Sequence, residues 1–143
     1  MTLRSPDIEI ALTGCVLIVL IGLSSCRDSS NPITKIDEIV FPDSNISYAK
    51  QVQPLFNYAC ATAACHDRAT EENKHLDLTY YSGLKNGDYV IVYERDTANS
   101  ILVWCIEWRA IPNVYPMPPT RQLSQNQIKG IKMWIMEGAK ETP

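Results

Sequence analysis

The chain has 143 residues, 13 Lys and Arg against 16 Asp and Glu, 45% apolar residues and five Cys. That length holds one modest domain with a tail and leaves no room for a large catalytic scaffold. A net charge of −3 argues against a nucleic-acid binder, and 20% charged residues with nine Pro describe a folded, loop-rich domain and not a disordered one.

Arg4 precedes an apolar run, Ala11 to Leu23, which ends at Ser24-Ser25-Cys26. A basic start, a short apolar stretch and small residues before a stop predict an export signal over residues 1–25. The run is about 14 residues long, short of the roughly 20 that a membrane span needs. Leu23-Ser24-Ser25-Cys26 resembles the bacterial lipoprotein box, which implies cleavage before Cys26 and a lipid on that residue. The alternative is an uncleaved anchor helix. Both readings export the domain and tie it to the bacterial cell envelope, on the periplasmic side or at the outer membrane. Residues 26–45 open with the polar Arg27-Asp28-Ser29-Ser30-Asn31-Pro32 and read as a flexible tether.

With Cys15 in the signal and Cys26 lipidated, Cys60, Cys65 and Cys105 remain, an odd number for an oxidising compartment. Disulfides alone strand one thiol. The count becomes easier if Cys60 and Cys65 are consumed as a pair by something else, with Cys105 alone on an apolar helix face.

The remaining pattern is helical segments between long loops, an all-α domain. Asn45 or Ser47 caps a short helix over Tyr48 to Gln53, with Val52, Leu55 and Phe56 on one side and Pro54 near its end. A second helix is predicted from Tyr80 to Lys85, stopping at Gly87. Tyr89-Val90-Ile91-Val92-Tyr93 has strand composition but no partner strand. Ser100 caps a helix with Ile101, Trp104, Cys105 and Trp108 at helical spacing, closed by Pro112. Ser124-Gln125-Asn126-Gln127 is a capping box for a last helix with Ile128, Ile131, Trp134 and Ile135 on one face and Gly138 at its end.

Two motifs carry chemistry. Cys60 and Cys65 are followed directly by His66. Covalent haem attachment needs such a set, two sulfurs for neighbouring vinyl groups and then an imidazole beneath the iron. The usual spacing has two residues between the thiols. Here there are four, Ala61-Thr62-Ala63-Ala64, small enough to bulge away from a porphyrin. Farther on, Pro112-Asn113-Val114-Tyr115-Pro116-Met117-Pro118-Pro119 holds a thioether in a stiff loop, because each Pro restricts its own backbone and that of the residue before it. With an attachment site upstream, Met117 is the candidate second axial ligand; otherwise it is a rigid surface residue. Three other readings of the Cys pair and its iron stay open. One is a plain Cys60–Cys65 disulfide stapling a haem-free interaction domain. Another is zinc held by Cys60, Cys65, His66 and His75, although the spacings miss the usual templates. The last is a haem enzyme with an open iron position. His75 is expected in a solvent-facing loop, and Trp104, Trp108 and Trp134 in core or pocket packing.

Val52-Gln53-Pro54-Leu55-Phe56, Cys60 to His66, Leu76-Asp77-Leu78, Ser100-Ile101-Leu102, Met117-Pro118-Pro119 and Trp134-Ile135-Met136-Glu137-Gly138-Ala139 occur in that order. Together they resemble the small cytochrome c-type domains of exported Bacteroidetes and Planctomycetes proteins, in which the longer thiol spacing is familiar. The likeness covers residues 46–140. Val92-Tyr93-Glu94-Arg95-Asp96 stands where that group commonly has a Pro-Gly turn. The resemblance implies a class I cytochrome c fold around one haem c, with the first and last helices crossing beside the haem edge. It implies that Cys60 and Cys65 hold the haem, with His66 and Met117 as iron ligands. The expected function is electron transfer with redox partner proteins, at a membrane reached through the lipid anchor, with no substrate pocket and no nucleic acid.

Overall fold

The computed structural model describes residues 35–70, 75–86 and 90–142. The signal segment 1–25, the lipidation residue Cys26 and positions 26–34 of the tether lie outside the described residues. Among the described residues the protein is all-α, with four α-helices and no β-strand. We label them α1 (Gln53–Ala59), α2 (Gly83–Asn86), α3 (Ile101–Ile106) and α4 (Gln125–Met136). No described helix is long and apolar enough to cross a membrane.

Helix α4 organises the core. Ser124 Oγ accepts the Gln127 N–H at 3.3 Å and Gln127 Oε1 accepts the Ser124 N–H at 3.0 Å, so the capping box forms as the sequence requires. Ile128, Ile131, Trp134 and Ile135 are all buried. The helix ends where Gly138 takes φ +101°, backbone that favours glycine.

The same helix captures the segment before residue 46. Gln127, itself buried, donates from Nε2 to the carbonyls of Ile36 (2.8 Å) and Ile39 (3.3 Å). Asn126 closes a two-way bond with Phe41, accepting its N–H at 2.8 Å and donating to its carbonyl at 2.9 Å. Ile39 and Phe41 are buried, and Phe41 packs where Gly130 leaves no side chain. The expected tether therefore stops short of residue 45. Ile36, Ile39 and Phe41 carry apolar surface whose partners lie some 85–91 positions away, beyond the reach of local pattern.

The first helix needs an adjustment that Pro54 explains. Ser47 caps it through Oγ, which accepts the Lys50 N–H at 3.3 Å. Tyr48–Val52 form a π-turn that runs into α1, with Pro54 in the first turn of the α-helix. Proline has no N–H and its ring clashes with the carbonyl four residues back, so a wider turn before it relieves both problems. Val52, Leu55 and Phe56 are buried as expected. Tyr48 joins this end of the chain to the other: its ring centroid lies 5.7 Å from that of Trp134 and 5.0 Å from that of Tyr81.

Three elements differ from expectation. The second helix begins at Gly83 and not at Tyr80, and Gly87 lies outside the described residues. The stretch Val90–Tyr93 is extended but pairs with no strand; it is held by Leu102 N–H to Ile91 O (3.0 Å) and Tyr93 N–H to Ser100 Oγ (2.9 Å). Helix α3 stops at Ile106, because Trp108 adopts φ +56° and turns the chain away. Its core face is Leu102, Val103 and Ile106, while Trp108 is 38% exposed and Trp104 half-buried. Of the three tryptophans only Trp134 is core.

Candidate functional site

The Cys60–His66 segment is a closed loop at the end of α1. The N–H groups of Cys60 and Ala61 both donate to the Phe56 carbonyl at 2.8 Å, ending the helix. An inner turn is closed by Cys65 N–H to Thr62 O (2.9 Å) and an outer one by His66 N–H to Cys60 O (3.0 Å). Thr62, Ala63 and Ala64 are exposed, and Ala64 has φ +66°. The two extra residues thus bulge outward, while the outer bond returns His66 beside Cys60. Thr70 Oγ1 donates to the Cys65 carbonyl, and Asp67 Oδ1 accepts the Thr70 N–H at 3.0 Å, bracing the loop from behind.

The loop is tied to the Leu76-Asp77-Leu78 segment by Leu78 N–H to His66 O at 2.9 Å. Asp77 is 1% exposed; its Oδ1 accepts the Thr79 N–H at 2.8 Å and hydroxyl at 2.6 Å, and its Oδ2 has no hydrogen-bond partner among the described residues. The Asp77 carbonyl presses on α2 so closely that a Cβ on Gly83 would lie 1.8 Å from its oxygen.

Met117 reaches the same region from the other side of the sequence. Its N–H donates to the Cys105 carbonyl at 3.0 Å, fastening the proline-rich loop to the end of α3. The Met117–Pro118 peptide bond is cis, and Pro118 is buried.

Cys60, Cys65, His66 and Met117 all line one cavity of about 510 Å³. Its other walls are mainly apolar, including Leu76, Leu78, Ile91, Ile101, Leu102, Ile106 and Val114. The size lies within the roughly 300–1,000 Å³ of small-molecule and cofactor sites. Sequence reasoning missed Cys105, expected alone on an apolar face: it is half-buried on the cavity wall. Its position four residues after Ile101 was the available signal. It also missed Asn113 and Tyr115, and His75, expected in solvent, is exposed but at the cavity edge.

Burial pushes the Cys60 thiol up to about 12, with smaller contributions from Cys65 and Cys105, and burial alone raises Cys105. All three cysteines are free thiols. Among the described residues no group of three or more His, Cys, Asp or Glu is placed to hold a metal ion, so the zinc arrangement through Cys60, Cys65, His66 and His75 is not formed.

The donor set fits a haem better than a bare cation: two thiols five positions apart, an imidazole and a thioether share a largely apolar cavity of cofactor size. No protein-family model matches the chain, and neither a curated protein nor a solved structure shows significant similarity to it.

Proposed function

We propose that this chain is an exported, lipid-anchored electron-transfer protein, a class I cytochrome c-like domain carrying one haem c. The observation that carries the reading is the convergence of Cys60, Cys65, His66 and Met117 on one apolar cavity, although Met117 lies far from the other three in sequence. Cys60 and Cys65 would hold the group covalently through their sulfurs, and His66 and Met117 would be the iron ligands. Bound haem supplies a one-electron iron couple, and a thioether in place of a second imidazole raises its potential.

The chain's own residues do the rest. The outer turn from Cys60 to His66 sets thiol and imidazole at a fixed separation, and Thr62 to Ala64 take the surplus length outward. The Cys105 carbonyl anchors the Met117 backbone, so the thioether is presented by a loop already fixed at both Pro-flanked ends. Leu76, Leu78, Ile101 and Ile106 exclude water from the cavity wall. With His66 and Met117 both committed to the iron, no ligand position would remain for a substrate, which favours a carrier or redox module over a peroxidase-like enzyme.

The test is a denaturing-gel haem stain with a pyridine haemochrome spectrum, on chain made alongside a c-type maturation system. Haem that stays with the denatured wild-type chain, and is weakened or lost in Cys60→Ala and Cys65→Ala, is the expected result. A colourless chain with Cys60 and Cys65 oxidised to one another refutes it and favours the stapled, haem-free domain. The anchor is tested separately: Cys26→Ser abolishes fatty-acid labelling and releases the protein from the membrane fraction.

A further inference from the structure

Residues five apart on an α-helix point to different sides, roughly 140° from one another. The π-turn at Tyr48–Val52 removes that separation. Gln53 N–H donates to the Tyr48 carbonyl, and Gln53 Oε1 accepts the Tyr48 hydroxyl at 2.5 Å. Tyr48 is buried and fixed in turn by the rings of Tyr81 and Trp134. Pro54 accounts for a wide turn at this point, and such turns within helices gather at functional sites. What this one achieves is the direction of the Gln53 side chain.

The Gln53 amide is held at both ends. While Oε1 takes the Tyr48 hydroxyl, Nε2 donates to Leu78 O at 2.9 Å and to Asn57 Oδ1 at 2.7 Å. Turning the amide over would set Oε1 against the Leu78 carbonyl, which has no hydrogen to give, so one orientation is fixed. Leu78 is the residue it grips. The other side of Leu78 donates its N–H to His66 O at 2.9 Å, and its buried side chain lines the cavity. A continuous chain of bonds thus runs from buried Tyr48 through Gln53 and Leu78 to His66, although Gln53 itself does not line the cavity.

We propose that Gln53 is the positioning residue for His66, acting through Leu78. The role rests on His66 being an iron ligand, as argued above. Groups behind a metal ligand set its orientation and so tune the metal. Here the bond to His66 is made by backbone, and backbone is only as fixed as the next bond along it. Gln53 supplies that next bond from a different element, 25 positions away in sequence. The π-turn and the Tyr48 hydroxyl exist, on this reading, to aim one amide N–H at the Leu78 carbonyl.

The test compares haem-loaded wild-type chain with Gln53→Glu and Gln53→Met. Glutamate keeps the shape and the acceptor for Tyr48 but sets an oxygen against Leu78 O; methionine is neutral and only removes the donor. Amide exchange by NMR on the reduced chain should be about five- to tenfold faster at the Leu78 N–H in both variants. The potential is read on Gln53→Met, because a carboxylate would move it by charge alone; it should shift, and the His66 ring resonances should shift with it. Gly130→Ala is the control for general loosening, since its new Cβ crowds Phe41 outside the cavity. It should leave the potential and the His66 resonances at their wild-type values. Unchanged Leu78 exchange, or a potential and His66 resonances that ignore Gln53→Met or follow Gly130→Ala equally, overturns the proposal. A colourless wild-type chain is a different failure, that of the haem reading itself.

Discussion

Replacing Gly130 by alanine gives opposite signs under two descriptions of the N-terminal segment. On a helix face with open space, Gly→Ala stabilises by roughly 0.8–1.0 kcal/mol, because alanine loses less backbone freedom on folding. In this fold the new Cβ would sit 2.1 Å from Phe41 Cγ, 2.2 Å from Cδ1 and 2.4 Å from Cβ. No rotation of the ring clears a contact with its own Cβ, so Phe41 must leave. Phe41 is 3% exposed, and returning such a side chain to water costs up to about 3 kcal/mol. The difference is a net destabilisation of about 2 kcal/mol, inside the usual range for overpacking.

Urea unfolding of the two proteins at unchanged m-value measures this directly. The same substitution is then made on a Phe41→Gly background, where both the obstructing ring and its Cβ are gone. There Gly130→Ala should stabilise by roughly 1 kcal/mol, so the cycle has a coupling of about 3 kcal/mol. If Gly130→Ala stabilises the wild-type chain, Phe41 does not pack on α4 and residues 35–45 are tether.

Met117→Ala should retain covalent haem while lowering its potential and opening the iron to added ligands; an unchanged optical redox titration sinks the axial assignment. In haem-free chain at pH 8, iodoacetamide should modify exposed Cys65 well before Cys60, whose thiol near 12 is ionised in roughly one part in 10⁴; peptide mass spectrometry that finds Cys60 modified first contradicts its burial. Gly83→Ala should destabilise the fold and disturb the Leu78–His66 bond, because the Asp77 carbonyl 1.8 Å from the new Cβ is backbone and cannot swing aside; an unchanged melting curve refutes that contact. Burial opposes ionisation of Glu107, but its bonds to Lys132 and Arg109 outweigh it and hold the carboxyl below its ordinary 4.5. A lowered folded value means the stabilisation is present above 4.5 and is lost as pH falls through the folded value. Glu107→Gln should therefore flatten the acid limb of a stability–pH profile below that pH, and an unaltered limb shows that the ion pairs contribute nothing.

What was legible in the sequence was local. The capping box at Ser124 to Gln127 is a four-residue signal with its own hydrogen bonds, and the helix that follows it buries the apolar face its spacing describes. The Cys60–His66 loop and the Met117 loop were each recognisable from residue type and spacing. What was not legible depended on partners far along the chain. Phe41 is buried because Asn126 offers two bonds and Gly130 offers a vacant face, and neither shows in the sequence around position 41. Trp108 continues a helical spacing that the backbone abandons at its own left-handed turn. Val90-Ile91-Val92 has the composition of a strand, but buries Ile91 and Val92 with no strand beside it among the described residues.

The cavity is held mainly by bonds that do not depend on its lining side chains. Leu78 N–H to His66 O fixes one candidate ligand, and Met117 N–H to Cys105 O fixes the other; both bonds are backbone to backbone. Side-chain replacement at His66 or Met117 therefore removes a donor without removing the tie that places it. The outward bulge of Thr62 to Ala64 has the same character, because its inner turn and outer closure also use only backbone groups. A four-residue spacing between thiols is thus no obstacle to bringing Cys60 and His66 together. The outer closure is set by the Cys60 carbonyl and the His66 N–H, and the number of residues looped out between them is a matter of turn chemistry alone. For the same reason the identities of Ala61 to Ala64 matter through size and backbone freedom, most of all at Ala64, where φ +66° suits glycine and opposes any β-branched residue.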